Sequence, residues 1–112
     1  MLDSFGLDGK NNECGGLYSK KDSDVNACFP PLTWQTYDVD FTNAVRDQES
    51  GKLVKNARIT VKLNGITIHD NVEIKGPSPG SGNQQEGTSG PIQFQGHGNM
   101  LQFRNVWLVE KP

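Results

Sequence analysis

The side chains best suited to chemistry lie close together in sequence, within the segment 90–107. His97 carries an imidazole, which can take up or release a proton near neutral pH. Gln93, Gln95 and Asn99 carry amides, which both donate and accept hydrogen bonds. This set predicts a site for a polar, hydroxyl-rich ligand, with His97 as its acid–base group. The alternative interpretation is an ordinary β-hairpin whose turn is polar.

The pattern around these residues indicates how they would be positioned. Apolar residues alternate with Gln93 and Gln95, so the amides and the apolar side chains point to opposite sides of a strand. Glycines on both sides of His97 let the backbone turn sharply there. We therefore expect the imidazole and the Asn99 amide at the rim of a β-sheet.

A second group of candidates lies on the strand predicted to contain Trp34, Asp38 and Asp40. Alternation places the three side chains on one face, and the strand rise separates the two carboxylates by about 7 Å. That spacing falls in the range of inverting glycosidases, and the indole of Trp34 could stack on a sugar ring. The alternatives are a solvated acidic face and a tryptophan buried in the core.

Two further side chains, Tyr18 and Arg104, are candidates by their position. Tyr18 follows a glycine pair, which leaves room for a ligand beside its ring, although a core tyrosine is an alternative. Arg104 could hold a sugar hydroxyl or form an ion pair with a neighbouring strand. His69 is expected to be solvated on the wet face of a hairpin. The few His and Asp residues show no metal-ligand spacing, so we expect no metal and no cofactor.

Glycine, proline and asparagine divide the chain into about six short strands, without helical periodicity. The clearest unit is a hairpin around Asn64-Gly65, a dipeptide suited to a type I′ turn. Its register is predicted to pair Leu63 with Ile66. Continuing that register pairs Val61 with Ile68. Further strands are predicted at 13–19, 34–45 and 101–109.

The composition fits a single β domain, residues 1–112, and argues against some classes of partner. The formal net charge is −2 without basic clusters, so we expect neither nucleic acid nor an anionic membrane as partner. No apolar run approaches the ~18 residues of a membrane helix. Only 33% of the residues are hydrophobic, which is a thin supply for a self-sufficient β-sandwich. The low hydrophobic content therefore favours a chain that forms one half of a two-sheet structure and pairs with another half.

Several segments carry motifs of one known family, in the same order. The segment 90–107 is close to Gly-Pro-Ile-x-Leu-Gln-Asp-His-Gly-Asn-x-Val-x-Phe-Arg-Asn-Ile-Trp, with Phe94 and Gly96 in place of leucine and aspartate. The other motifs are Leu-Asp-Ser at 2–4, Glu-Cys-Gly-Gly-Leu-Tyr at 13–18, Asn-Ala-Cys-Phe-Pro-Pro at 26–31, Thr-Trp-Gln-Thr-Tyr-Asp-Val at 33–39 and Lys-Asn-Ala-Arg at 55–58. The chain thus resembles the C-terminal half of the 3-keto-disaccharide hydrolase domain, a bacterial family. The resemblance implies an all-β, concanavalin-like antiparallel β-sandwich (jelly roll).

The resemblance also implies a reaction. A 3-keto group makes the C2 proton of a sugar acidic, so a base could remove it and expel the C1 substituent by elimination before water adds back. His97 or Asp3 would be this base. The amides would hold sugar hydroxyls or the enolate oxygen. The saccharide-binding residues would then be Tyr18, Trp34, Gln93, Gln95, Asn99 and Arg104.

The resemblance further implies a periplasmic or extracellular location, where Cys14 and Cys28 would form a disulfide. Closing that loop would contribute about 3 kcal/mol, and the alternative is two reduced thiols. A half domain would expose sheet edges, so we expect a homo-oligomer formed through them. The alternative functions are a non-catalytic carbohydrate-binding or adhesive module, and a fragment that is active only on assembly.

Overall fold

The computed structural model describes residues 4–77, 85–94, 98 and 100–111, which form an all-β arrangement without a helix. The strands are β1 (Tyr37–Thr42), β2 (Val45–Arg46), β3 (Leu53–Lys55), β4 (Ala57–Leu63) and β5 (Ile66–Ile74). They form a three-stranded sheet in the order β1-β4-β5 and a two-stranded sheet of β2 and β3, all antiparallel. The predicted antiparallel all-β class is confirmed. Over the described ranges, the chain contains no helix that could cross a membrane.

The turn between β4 and β5 is formed by Asn64 and Gly65, both with positive φ, 54° and 79°. A type I′ turn requires this conformation, so the predicted hairpin is confirmed. Asn64 also ties the turn to the chain before β1. Its Oδ1 accepts a hydrogen bond from the Thr36 N–H at 2.9 Å, and its Nδ2 donates to the Ala27 carbonyl at 2.8 Å.

β5 leaves the predicted register after its first pairs. Leu63 pairs with Ile66 as predicted. Val61, however, pairs with His69 instead of Ile68. Ile68 is thus the extra residue of a β-bulge, which changes the side chains that face the core. His69 is fully buried, with 0% of its surface exposed, so the prediction of a solvated His69 is wrong.

The core lies between the β4–β5 hairpin and the irregular segment that precedes β1. Its buried members are Ala27, Cys28, Val61, Leu63 and Ile68. The glycine pair allows the segment to pack closely. A Cβ added to Gly15 would lie 2.9 Å from Ile68 Cδ1, and one added to Gly16 would lie 2.5 Å from the Asn11 carbonyl oxygen. The absence of a Cβ at these two glycines therefore permits the close approach of Ile68 and of the Asn11 backbone.

The segment 13–19 does not form the predicted strand. It consists of turns, with a single bridge between Leu17 and Lys21. A strand needs a continuous row of hydrogen bonds to a neighbour, and the short turn satisfies its backbone within itself instead. The side chains of this segment therefore do not alternate between two faces of a sheet, as those of a strand would.

β1 confirms the predicted alternation of faces, although it is shorter than the predicted 34–45. Residues opposite each other in a ladder share a face, and Val39 lies opposite the buried Val61. Tyr37 and Phe41 share this apolar face with Val39. All three are nevertheless about half exposed, between 45% and 56%. The apolar face of the sheet is thus covered at β4 and open at β1.

The predicted strand at 101–109 is also wrong. The described residues 100–111 form no strand, and exposure there reaches 90% at Met100 and 78% at Trp107. A strand requires backbone hydrogen bonds to a neighbouring strand, and none joins this segment to the described sheets. Its contact with β1 is made by Lys111, whose Nζ donates to the Asp40 carboxylate and the Thr42 hydroxyl.

The two cysteines lie close together at the edge of the core. The Cys28 Sγ is 3.9 Å from the Cys14 carbonyl oxygen, and the Cys14 Sγ is 3.8 Å from the Tyr37 hydroxyl. Both side chains are thiols in the structure. The disulfide stays a prediction, which alkylation and mass spectrometry with and without reductant would check.

Candidate functional site

Trp34 and Arg104, two of the predicted saccharide-binding residues, are in contact. The guanidinium carbon of Arg104 lies 3.9 Å from the centroid of the Trp34 ring, within the range of a cation–π interaction. Trp34 is 46% exposed, so the alternative of a tryptophan buried in the core is wrong. We call this pair the Trp34–Arg104 stack.

The chain next to Trp34 is fixed by a small amide network. The Gln35 Oε1 accepts hydrogen bonds from the Phe29 N–H at 2.9 Å and from the Asn64 Nδ2 at 3.1 Å. Asn64 belongs to the type I′ turn, so the network joins Trp34 to the most regular part of the sheet. The indole therefore projects from an anchored backbone.

The chain next to Arg104 is fixed by an aromatic pair. The rings of Phe103 and Phe94 pack with their centroids 5.0 Å apart and their planes at 53°, a favourable tilted geometry. Because Phe94 follows Gln93, this contact brings the Gln93 segment beside the Arg104 segment. Gln93 is exposed. The structure thus places three predicted ligand-binding residues in one surface region.

The Trp34–Arg104 stack combines two properties that suit a saccharide. An exposed indole offers an apolar face to the C–H groups of a pyranose ring. A guanidinium offers several N–H donors in a fixed plane and cannot accept hydrogen bonds, so it binds hydroxyl or carboxylate oxygens. The stack also limits the rotamers of Arg104 before a ligand arrives, which reduces the entropy lost on binding.

The two aspartates of β1 lie on the polar face, as predicted, and both are exposed. Asp40 is engaged by Lys111 through an ion pair. The Lys111 ammonium group thus occupies a carboxylate that a catalytic pair would need to present to substrate. The geometry therefore favours the solvated acidic face over a catalytic pair.

Tyr18 does not join the stack. It lies on the turn between Leu17 and Lys21 and is 53% exposed. The alternative of a core tyrosine is therefore wrong. His97, Asp3, Gln95 and Asn99 lie outside the described residues, so their roles stay predictions.

Two polar groups at the edge of the core were not identified from the sequence. The His69 Nε2 lies 2.6 Å from the Gly15 carbonyl oxygen, and because a carbonyl only accepts, Nε2 carries the proton. Nδ1 is buried without a hydrogen-bond partner among the described residues. Desolvation raises the pKa of Tyr37 well above its usual value, and the neighbouring Cys14 thiol raises it further. Neutral Tyr37 cannot act as a base. His69 holds the loop that contains Gly15 and Gly16, which we call the glycine loop.

Comparisons with known proteins agree with this description. The model of the 3-keto-disaccharide hydrolase family, described as the 3-keto-alpha-glucoside-1,2-lyase-like domain, matches residues 1–109. The crystal structure of a candidate glycosyl hydrolase from Parabacteroides distasonis is similar at 25% identity and a TM-score of 0.65. This similarity covers 80% of the present chain and 38% of that chain. No curated protein matches. Because the family match extends over nearly the whole sequence, the chain belongs to the 3-keto-alpha-glucoside-1,2-lyase-like domain family.

Proposed function

We propose that this domain binds a 3-keto-glycoside at the Trp34–Arg104 stack and takes part in its cleavage. The observation that carries the proposal is the contact of Trp34 with Arg104 at 3.9 Å, within a family of carbohydrate-related domains. In the proposed complex, the indole packs on one sugar ring. Arg104 and Gln93 donate hydrogen bonds to its hydroxyl oxygens.

The proposed chemistry is elimination followed by hydration. A base takes the proton from C2, the electron pair of that C–H bond forms the enolate of the 3-keto group, and the C1–O bond breaks to release the leaving group. Water then adds across the new double bond at C1 and C2. We assign the base to His97, with Asp3 as the alternative, and the enolate oxygen to Gln95 or Asn99. No metal or cofactor takes part in this proposal.

We expect Trp34→Ala to weaken binding of 3-keto-trehalose about tenfold. An aromatic contact contributes about 1 kcal/mol beyond its buried area, and 1.4 kcal/mol corresponds to a factor of ten. Isothermal titration calorimetry measures the loss. Trp107→Ala is the matched control, because Trp107 is the other tryptophan and is 78% exposed. Equal losses in the two variants would contradict the proposed site.

A second candidate function is a saccharide-binding module without catalysis. The exposed position of the stack favours this function. Exposed aromatic residues suit the binding of a sugar, whereas elimination chemistry is favoured in a site from which water is excluded. The two functions differ in one measurement. Release of the leaving group from 3-keto-trehalose supports the enzyme, whereas saturable binding without release supports the module.

We also propose that the chain corresponds to the C-terminal half of the family domain and works as a homo-oligomer. The open apolar face of β1 and the 38% share of the neighbouring structure that it spans support this. A periplasmic or extracellular location is proposed from the family resemblance alone.

We expect a dimer or larger species in light scattering. Val39→Lys should convert it to a monomer, because a charge cannot be buried on the apolar face without a partner. Thr67→Lys, on the polar face of β5, is the control and should leave the mass unchanged. A wild-type monomer at micromolar concentration would contradict the proposal.

A further inference from the structure

A groove lined by lysines lies beside β5, away from the Trp34–Arg104 stack. Its volume is about 240 Å³, and its lining residues are Lys20, Lys21, Val72, Glu73 and Lys75. We propose that this groove binds an oxyanion, that is, a phosphate, sulfate or carboxylate group. The chain beside the stack is bonded to the turn that precedes β5, whereas the groove lies at the other end of β5.

The groove is built by one turn and one strand end. The turn is closed by backbone hydrogen bonds between Leu17 and Lys21 at 2.9 and 3.0 Å. From this turn, the Lys20 Nζ reaches the Lys75 carbonyl oxygen at 2.6 Å. Further along, the Asp24 N–H donates to the Ile68 carbonyl at 3.0 Å. The lysine side chains therefore project from a segment that is attached to β5 at two points.

The charges in the groove are only partly balanced. Lys21 lies 2.5 Å from the Asp24 carboxylate, and this hydrogen bond holds the pKa of Asp24 below its usual value. Lys20 and Lys75 have no carboxylate within ion-pair distance among the residues that the structure describes. With Glu73 also in the lining, three lysines face the carboxylates of Asp24 and Glu73, which leaves one positive charge in excess.

Glu73 is the acidic member of the lining. The Asn56 Nδ2 donates to its carboxylate at 3.0 Å, and Arg58 is its partner in the β4–β5 ladder. The Asn56 hydrogen bond lowers the pKa of Glu73, with smaller effects from Lys75 and Arg58. Glu73 is therefore ionised at neutral pH, so it competes with a bound anion for the nearby lysines.

Ammonium groups only donate hydrogen bonds and carry positive charge, so this lining selects an anion over a neutral sugar. The volume lies below the ~300 Å³ at which pockets for drug-sized ligands begin, so it admits a small anion or part of one sugar ring. Tyr18 stands on the same turn and is exposed. The source of the oxyanion is thus either a free inorganic anion or the acidic group of a sugar. Only the second source depends on the proposed saccharide function.

The test is titration of the isotope-labelled chain with sodium sulfate, sodium phosphate, glucuronate and glucose at low ionic strength, followed by NMR. We expect the amide signals of residues 17–21 and 72–75 to shift with at least one anion and not with glucose. The double variant K20Q/K75Q should bind that anion about tenfold more weakly. The matched control, K52Q/K55Q, changes two lysines of the β2–β3 unit and should bind as wild type does.

Glu73→Gln should have the opposite effect on anion binding, and a misfolded variant could not produce that effect. Removing the competing carboxylate should strengthen anion binding about threefold. Binding of sulfate or phosphate alone would assign the site to inorganic anions, and preference for glucuronate would assign it to acidic sugars. The proposal is overturned if no anion shifts these signals, or if K20Q/K75Q and K52Q/K55Q bind equally well. Neither result bears on Trp34, so the proposed saccharide function is tested separately.

Discussion

Replacing His97 by alanine is expected to lower the turnover of 3-keto-trehalose about 10²–10⁴-fold, the usual contribution of a general base. The physical reason is that the variant lacks the group proposed to take the C2 proton in the transition state. The measurement is release of the leaving group under single-turnover conditions, with binding measured in parallel. Binding should change much less than turnover, because the proposed binding site is the Trp34–Arg104 stack and not His97.

The second histidine of the chain supplies the control. His69→Gln should lower the melting temperature, because it disturbs the contact with Gly15, but it should leave turnover per folded molecule unchanged. Asp3→Asn distinguishes the two candidate bases. Unchanged turnover in His97→Ala, both in this chain and at the matching histidine of a longer family member, would exclude the imidazole as the base.

Gly16→Ala is expected to lower the free energy of unfolding by about 3 kcal/mol, at the upper end of the cost of overpacking. The added Cβ would lie 2.5 Å from the Asn11 carbonyl oxygen. Backbone cannot move aside by changing a rotamer, so the whole glycine loop would have to shift. Because domains are stable by only ~5–15 kcal/mol, this is a large fraction of the total. Urea denaturation measures it.

Gly51→Ala is the matched control for this substitution. A Cβ at Gly51 would meet nothing within 4 Å, although its φ of +70° favours glycine. Only the backbone cost of about 1 kcal/mol is expected there. Equal losses in the two variants would show that close packing of the glycine loop does not stabilise the fold.

The parts of the fold that follow from local rules were predictable. Asn-Gly favours a type I′ turn whatever the rest of the chain does, so the turn at Asn64-Gly65 could be predicted. The alternation of side chains along a strand likewise places Tyr37, Val39 and Phe41 on one face. The burial of His69 was not predictable by the same rule. A bulge shifts the two-residue period by one, and nothing in the apolar pattern of β5 shows where the extra residue is inserted.

The candidate site was predictable in its residue types and less so in its assembly. Trp34 and Arg104 were separate candidates, and their contact depends on how segments 70 positions apart meet in the fold. The segment 101–109 has the composition of a covered strand, yet composition cannot supply the neighbouring strand that it would need. Lys20, Lys21 and Lys75 formed no cluster in sequence, since the groove depends on the turn folding back onto β5.

Because Ile68 is the extra residue of a bulge, a relative that is one residue shorter at this point should differ in local structure. A homologue lacking this one position would restore the simple two-residue rhythm, with the equivalent of His69 still opposite Val61 on the buried face. The glycine loop would instead lose the Ile68 side chain against which Gly15 packs, and the Lys20 turn would lose the attachment of Asp24 to the Ile68 carbonyl. A one-residue gap in an alignment at this point, far from either ligand surface, would therefore mark proteins in which the anion groove is absent.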